Sequence, residues 1–189
     1  MILNDRTIAG LVERGGLVDF EKSEDCELSA VLKQVNPNSL DLTLGGVVRY
    51  PVKEGVSVVY GHESGNFPLR RHVKCLALAP GDYCLAAARE YIKMPNNICG
   101  QVFLKSSLGR LFVNHMLAGV VDAGYEGRLT LEFKNESNDT VYIPVGSRVV
   151  QLVFMQMSGV AGMAYGERRS RYQGAVEPEW SKEERVNSQ

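Results

Sequence analysis

The stretch VFLKSSLGRLFVNHMLAGVVDAGYEGRLTLEFK, residues 102–134, decides how the chain reads. Its apolar segments are short and rich in Val, Leu and Phe, and Gly, Asn and Asp break them up. Side chains alternate along a pleated strand. In the final segment Leu129, Leu131 and Phe133 therefore share one face, and Thr130, Glu132 and Lys134 the other. The period is two, which argues for strand and against helix. The same stretch concentrates polar chemistry between its apolar runs: Ser106, Ser107 and Arg110, then Asp122 in a Gly-rich turn, then Glu132.

The pattern continues outward. From Ser39, Leu40, Leu42 and Leu44 alternate with Asp41 and Thr43, and Gly45-Gly46 is expected to end that strand. Further strands are expected near 47–52, 56–60, 73–78, 82–88, 98–104, 117–121, 128–134, 140–143 and 148–156, separated by Pro, Gly, Asn and Asp turns. Many short strands at close spacing predict a mainly β sandwich or barrel. One helix is expected over 5–14, where Ile8, Leu11 and Val12 share a face, Asn4 or Asp5 caps, and Gly15-Gly16 stops it. A weaker helical pattern covers 24–34, and 53–72 reads as a loop-rich excursion. No repeat or linker divides the chain, so 1–176 reads as one domain and 177–189 as a polar tail.

Composition narrows the function. The 189 residues carry a net charge of -1, with 44% hydrophobic and 23% charged residues, so no basic field argues for nucleic acid or anionic membrane. No apolar run approaches the roughly 20 residues of a membrane span, and the N-terminus lacks a signal-peptide core, which predicts a cytoplasmic protein. The four cysteines form no C-x-x-C pair and read as reduced packing residues. His62, His72 and His115 are scattered away from them, so no zinc site is expected.

Each chemical group has a plain alternative beside its functional reading. Ser106 and Ser107 follow an apolar run, where exposed hydroxyls and backbone N–H groups attract anions, and Lys105 and Arg110 would add charge and a bidentate fork for phosphate; the alternative is a solvated turn. Asp122 sits between small residues that let a ligand approach, or it simply caps a turn. Glu132 is a candidate general base and acid, or a solvent-facing strand residue paired with Lys134. Residues 165–175, YGERRSRYQGA, interleave Arg with Tyr165 and Tyr172, which suits a lid over phosphates and a base, or a solvated basic segment.

Taken together, I-L-N-D-R-T-I, N-P-N-S-L-D-L-T-L-G, L-A-P-G-D-Y-C-L-A, K-S-S-L-G-R, A-G-V-V-D-A-G-Y-E-G-R-L-T-L-E-F and R-Y-Q-G-A resemble the dCTP deaminase family. That family includes bifunctional dCTP deaminase/dUTPases within the trimeric dUTPase superfamily. The resemblance implies a distorted β-barrel of jelly-roll type and a homotrimer with active sites shared between subunits. It implies hydrolytic removal of the cytosine amino group without zinc, with Mg²⁺ arriving on the triphosphate. Glu132 matches the catalytic proton shuttle. Ser106, Arg110 and the carbonyl of Ala118 match the groups that position water. Lys105, Ser107 and Arg110 match the phosphate turn, and Asp122 the residue at the deoxyribose 3′-hydroxyl. Tyr165, Arg171 and Gln173 match the lid, expected over 165–176. dCTP is the expected substrate, with dUTP and dTTP as further ligands and neither nucleic acid nor membrane as partner.

The sequence also departs from the family pattern. Gly119 stands where single-function deaminases often carry His, Leu117 replaces a usual Thr, and Arg171 a usual Lys. Gly119 matches the bifunctional type, in which Asp122 would also activate water against the α-phosphorus. Two readings remain beside deamination: a dUTPase-type pyrophosphatase using Asp122, and a non-catalytic nucleotide-gated interaction module.

Overall fold

The computed structural model of the chain describes residues 1–51, 68–115, 119–168 and 170–182. The first half runs α1 (Asp5–Glu13), β1 (Val18–Asp19), α2 (Leu28–Leu32), β2 (Val35–Asn36), β3 (Ser39–Arg49), β4 (Leu69–Arg70), β5 (Cys75–Leu78) and β6 (Tyr83–Lys93). The second half runs β7 (Ile98–Leu104), α3 (Ser106–Gly109), β8 (Val113–His115), β9 (Val120–Val121), β10 (Glu126–Asn135), β11 (Val141–Pro144) and β12 (Arg148–Gln156). A 3₁₀ turn, Tyr165–Glu167, follows.

Mainly antiparallel strands make up the molecule. Its principal sheet has the order β8-β10-β6-β3-β12-β7-β9 and curls into a half-barrel, and β5 and β11 form a separate pair. Leu40, Leu42, Leu44, Leu131, Phe133, Leu152 and Phe154 have no exposed surface and form the centre of one continuous core. α1 closes one end of it. Asn4 accepts the Thr7 N–H at 3.0 Å as N-cap, and Ile8 and Val12 are fully buried.

The expected helix over 5–14 is present, and the weaker pattern over 24–34 is helical only at Leu28–Leu32. The break expected at Gly45-Gly46 does not occur, because β3 runs through both glycines. A Cβ at Gly45 would stand 2.8 Å from the Ala87 carbonyl oxygen and would also collide with the Arg128 guanidinium. The glycine marks close approach of neighbouring chains, and the β3–β6 register shifts between Leu44 and Val48. The strand expected near 56–60 and much of the excursion at 53–72 lie outside the described residues.

Both faces of β3 are buried, so its polar positions need partners inside the protein. Asp41 and Thr43 get them. Asp41 accepts from Lys105 and from the Asn36 side chain at 2.8 Å, and Thr43 donates to the buried Glu90 carboxylate at 2.7 Å. Gln34 donates to the same Glu90 oxygen at 2.9 Å, and the Thr43 N–H donates to the other oxygen at 2.9 Å.

Candidate functional site

β10 carries Thr130 and Glu132 on the face away from Leu131 and Phe133, as the period-two pattern requires. Opposite Glu132 on β6 is Leu85. Together they floor a cavity of about 470 Å³. Val120, Val121 and Asp122 form one wall, and Tyr165, Tyr172 and Trp180 cover it. The enclosure is strongly aromatic, which suits a planar base.

Glu132 is not the solvent-facing partner of Lys134. Lys134 lies 3.7 Å from Glu136, while the Glu132 side chain keeps 27% of its surface and points its Oε2 to 3.5 Å from His115 Nε2. Burial pushes the Glu132 carboxyl above its usual range and His115 below its own, because a dry environment disfavours the charged form of each. A carboxyl held nearer neutral pH is better suited to both taking and giving a proton.

Asp122 is exposed at the cavity wall, in a turn closed by the Tyr125 N–H donating to its carbonyl at 3.1 Å. Behind it, Gly119 packs against β7. The Val102 N–H donates to the Gly119 carbonyl at 2.7 Å, and a Cβ at Gly119 would stand 2.8 Å from the Val102 oxygen. The Val120-Asp122 wall is thus set close to β7 by a residue without a side chain.

The lid segment is anchored to the same turn. The Tyr165 N–H donates to Ala123 O at 2.9 Å, and the Tyr125 and Tyr165 rings meet edge to face at 5.5 Å. Gln173 accepts from the Glu126 N–H at 3.1 Å and donates to Gly124 O at 3.2 Å. Arg171 donates to Lys182 O, so within this chain its guanidinium turns to residues 177–182. Those residues, read from sequence as the start of a polar tail, pack on the domain. Arg49 donates to Pro178 O at 2.9 Å, the Glu179 N–H to the Thr130 hydroxyl at 3.0 Å, and Arg71 pairs with Glu177 at 2.7 Å.

Of the residues singled out in the sequence, Asp122, Glu132 and Tyr165 come together in the cavity, with Gln173 at its edge. The group at the other end of the stretch does not join them within one chain. Ser106, Ser107 and Arg110 are exposed on and after α3, and Arg110 reaches Ser106 Oγ at 3.5 Å. Lys105 is engaged by Asp41. Ala118 lies outside the described residues. Flanking this separate group in the chain stand exposed apolar side chains, Phe103, Leu111 and Phe112, the last at φ 56°, and Val120 of the cavity wall is exposed as well. Sequence reasoning missed His115 and Trp180. The only tryptophan, standing in an otherwise polar tail, was a usable signal. For His115 there was none, since only the β8–β10 register brings it to Glu132.

Among the described residues no three of His, Cys, Asp and Glu group as a metal-ligand set, and no helix is long and apolar enough to cross a membrane.

Comparison with known proteins adds a family, three relatives and a shared fold. The model of the dCTP deaminase-like family matches residues 2–157. A dUMP-forming dCTP deaminase of Methanobrevibacter smithii is 36% identical over 194 residues, spanning 96% of this chain and 94% of that protein. Another dUMP-forming enzyme, from Persephonella marina, is 38% identical over 92% of each, and a dCTP deaminase of Natronomonas pharaonis is 34% identical over 96% and 94%. The crystal structure of the 2′-deoxycytidine 5′-triphosphate deaminase from Agrobacterium tumefaciens superposes with a TM-score of 0.62 at 24% identity. It covers 81% of this chain and 47% of that one, and it shows a shared fold.

Proposed function

This chain belongs to the dCTP deaminase-like family, and on that premise we propose that it hydrolyses dCTP to dUTP and ammonia. The observation that carries the reading is Glu132, a largely buried carboxyl pushed toward neutrality on the floor of an aromatic cavity. In this reading Glu132 takes a proton from water as the oxygen bonds to C4 of the cytosine ring, and passes it to N3. It then takes the new hydroxyl proton and gives it to the 4-amino group, which leaves as ammonia as the C4 carbonyl forms. Water is consumed and uracil remains, with no redox partner needed.

Water must be held while this happens. Ser106, Arg110 and the Ala118 carbonyl are assigned that role, and Lys105, Ser107 and Arg110 the phosphates. Because α3 stands apart from the cavity in one chain, the reading places these groups opposite Glu132 of a second copy, in a homotrimer. The exposed Phe103, Leu111, Phe112 and Val120 supply apolar surface for that contact. Asp122 takes the sugar 3′-hydroxyl, and residues 165–176 close over the nucleotide. Mg²⁺ would belong to the substrate, offsetting the charge of the triphosphate it accompanies.

The naming of two relatives as dUMP-forming, with Asp122 open at the cavity wall, favours a second step: water attacks the α-phosphorus and pyrophosphate leaves, giving dUMP. Incubation with dCTP and Mg²⁺, with ammonia assayed and nucleotides separated, tests both steps. Ammonia no higher than in a Glu132→Gln control overturns deamination, and dUTP as the sole product overturns the second step.

A further inference from the structure

His115 Nε2 and Glu132 Oε2 are both sealed from solvent, neither has a hydrogen-bond partner among the described residues, and they stand 3.5 Å apart. An unpaired buried polar atom is costly, and two facing each other at this distance are one small adjustment from pairing. We infer that His115 is the positioning residue of Glu132: its Nε2 holds Oε2 against β8, leaving Oε1 to meet the substrate. The inference rests on Glu132 being the proton carrier proposed above.

The fold fixes the imidazole independently of Glu132. His115 pairs with Phe133 across the β8–β10 ladder, its ring lies edge to face with Phe133 at 6.0 Å, and only 4% of the residue is exposed. Among the described residues of one chain, no charged group besides His115 is paired with Oε2. Lys134 on β10 is engaged by Glu136, Arg110 at the end of α3 donates to Ser106, and Asp122 and Glu179 line the cavity. Cys84, opposite Phe133 on β6, is kept protonated by burial, which pushes it up to about 12.

A neutral imidazole serves both states of its partner. With the proton on Nε2 it donates to the ionised carboxylate. With the proton on Nδ1 it accepts from the protonated carboxyl. A residue that gains and loses a proton within one turnover is thereby held in place throughout.

Two measurements test this. In protein labelled with ¹⁵N-histidine, the ring shifts of His115 at neutral pH are expected to show a protonated Nε2 and bare Nδ1. His62 and His72 are the only other histidines, and loss of one signal set in His115→Phe assigns the resonance. A bare Nε2 facing an ionised Glu132 overturns the inference, and this readout needs no folded variant once the signal is assigned by its insensitivity to solvent exchange. In kinetics, His115→Phe keeps the ring against Phe133 but removes Nε2. It is expected to lower kcat about 10- to 100-fold with KM changed less than about threefold, and to move the acid limb of kcat up by about one pH unit, since a donor to the carboxylate is lost. His115→Gln, which restores a donor near Nε2, should return the limb toward wild type. An unchanged limb in His115→Phe overturns the inference. Failure of the proposed function is separate: wild-type protein would then release no ammonia, whatever the tautomer.

Discussion

The Lys105 ammonium donates to both carboxylate oxygens of Asp41, at 3.0 and 2.8 Å, and the Asp41 side chain is completely buried. Lys105 thus serves the fold from within the turn assigned to the phosphates, and Arg148 lies 3.6 Å from the same carboxylate. Lys105→Ala leaves a buried charge half-compensated. We expect a loss of about 3 kcal/mol, at the lower end for breaking a buried ion pair because Arg148 remains. Thermal unfolding should show it as a Tm decrease of roughly 6–12 °C.

Glu132→Gln keeps shape and removes proton transfer. Ammonia release should fall by about 10²- to 10⁴-fold, the usual worth of general acid–base catalysis, while nucleotide affinity by calorimetry stays within about threefold. Loss of binding alongside loss of turnover would instead assign Glu132 to substrate recognition.

Stability should depend on pH through the same residue. The folded state holds the Glu132 proton more tightly than the unfolded chain, so its contribution is present below the unfolded value of 4.5 and is lost as pH rises through the folded one. Glu132→Gln should therefore melt higher than wild type at neutral pH, with the difference disappearing near about pH 4. His115 acts in the other direction. Its depressed value means a contribution present above 6.5 and lost as pH falls through the folded value. Melting curves across this range, wild type against variant, check both signs.

Gln173 ties the lid to the turn after Asp122 through the Glu126 N–H and the Gly124 carbonyl. Gln173→Ala removes both bonds from an exposed side chain, so Tm should change little. If lid closure contributes to binding, KM for dCTP should rise about tenfold, equivalent to about 1.4 kcal/mol. An unchanged KM would separate the lid from substrate capture.

Much of the fold was legible because alternation is local. The face carrying Leu131 and Phe133 and the face carrying Glu132 could be read directly, and the strand at Ile98–Leu104 has the expected bounds. What escaped depends on neighbours distant in sequence. Gly45 looked like a strand end, yet it makes room for Arg128 and Ala87. Lys105 was legible as a candidate phosphate ligand, and its pairing with Asp41, in a strand far earlier in the chain, was not. The short strand Val113–His115 was too brief for any periodicity, and its register sets the contact to Glu132.

The cavity's cover includes Trp180, and its floor includes Glu132, 48 positions earlier (180 − 132). At a synthesis rate of about 5–20 residues per second, the floor precedes the cover by roughly 2–10 seconds. A chain still being made therefore has its carboxyl in place before it can enclose anything. A chain stopped short of Trp180 would carry Glu132 and the strand that holds it but not this part of the cover.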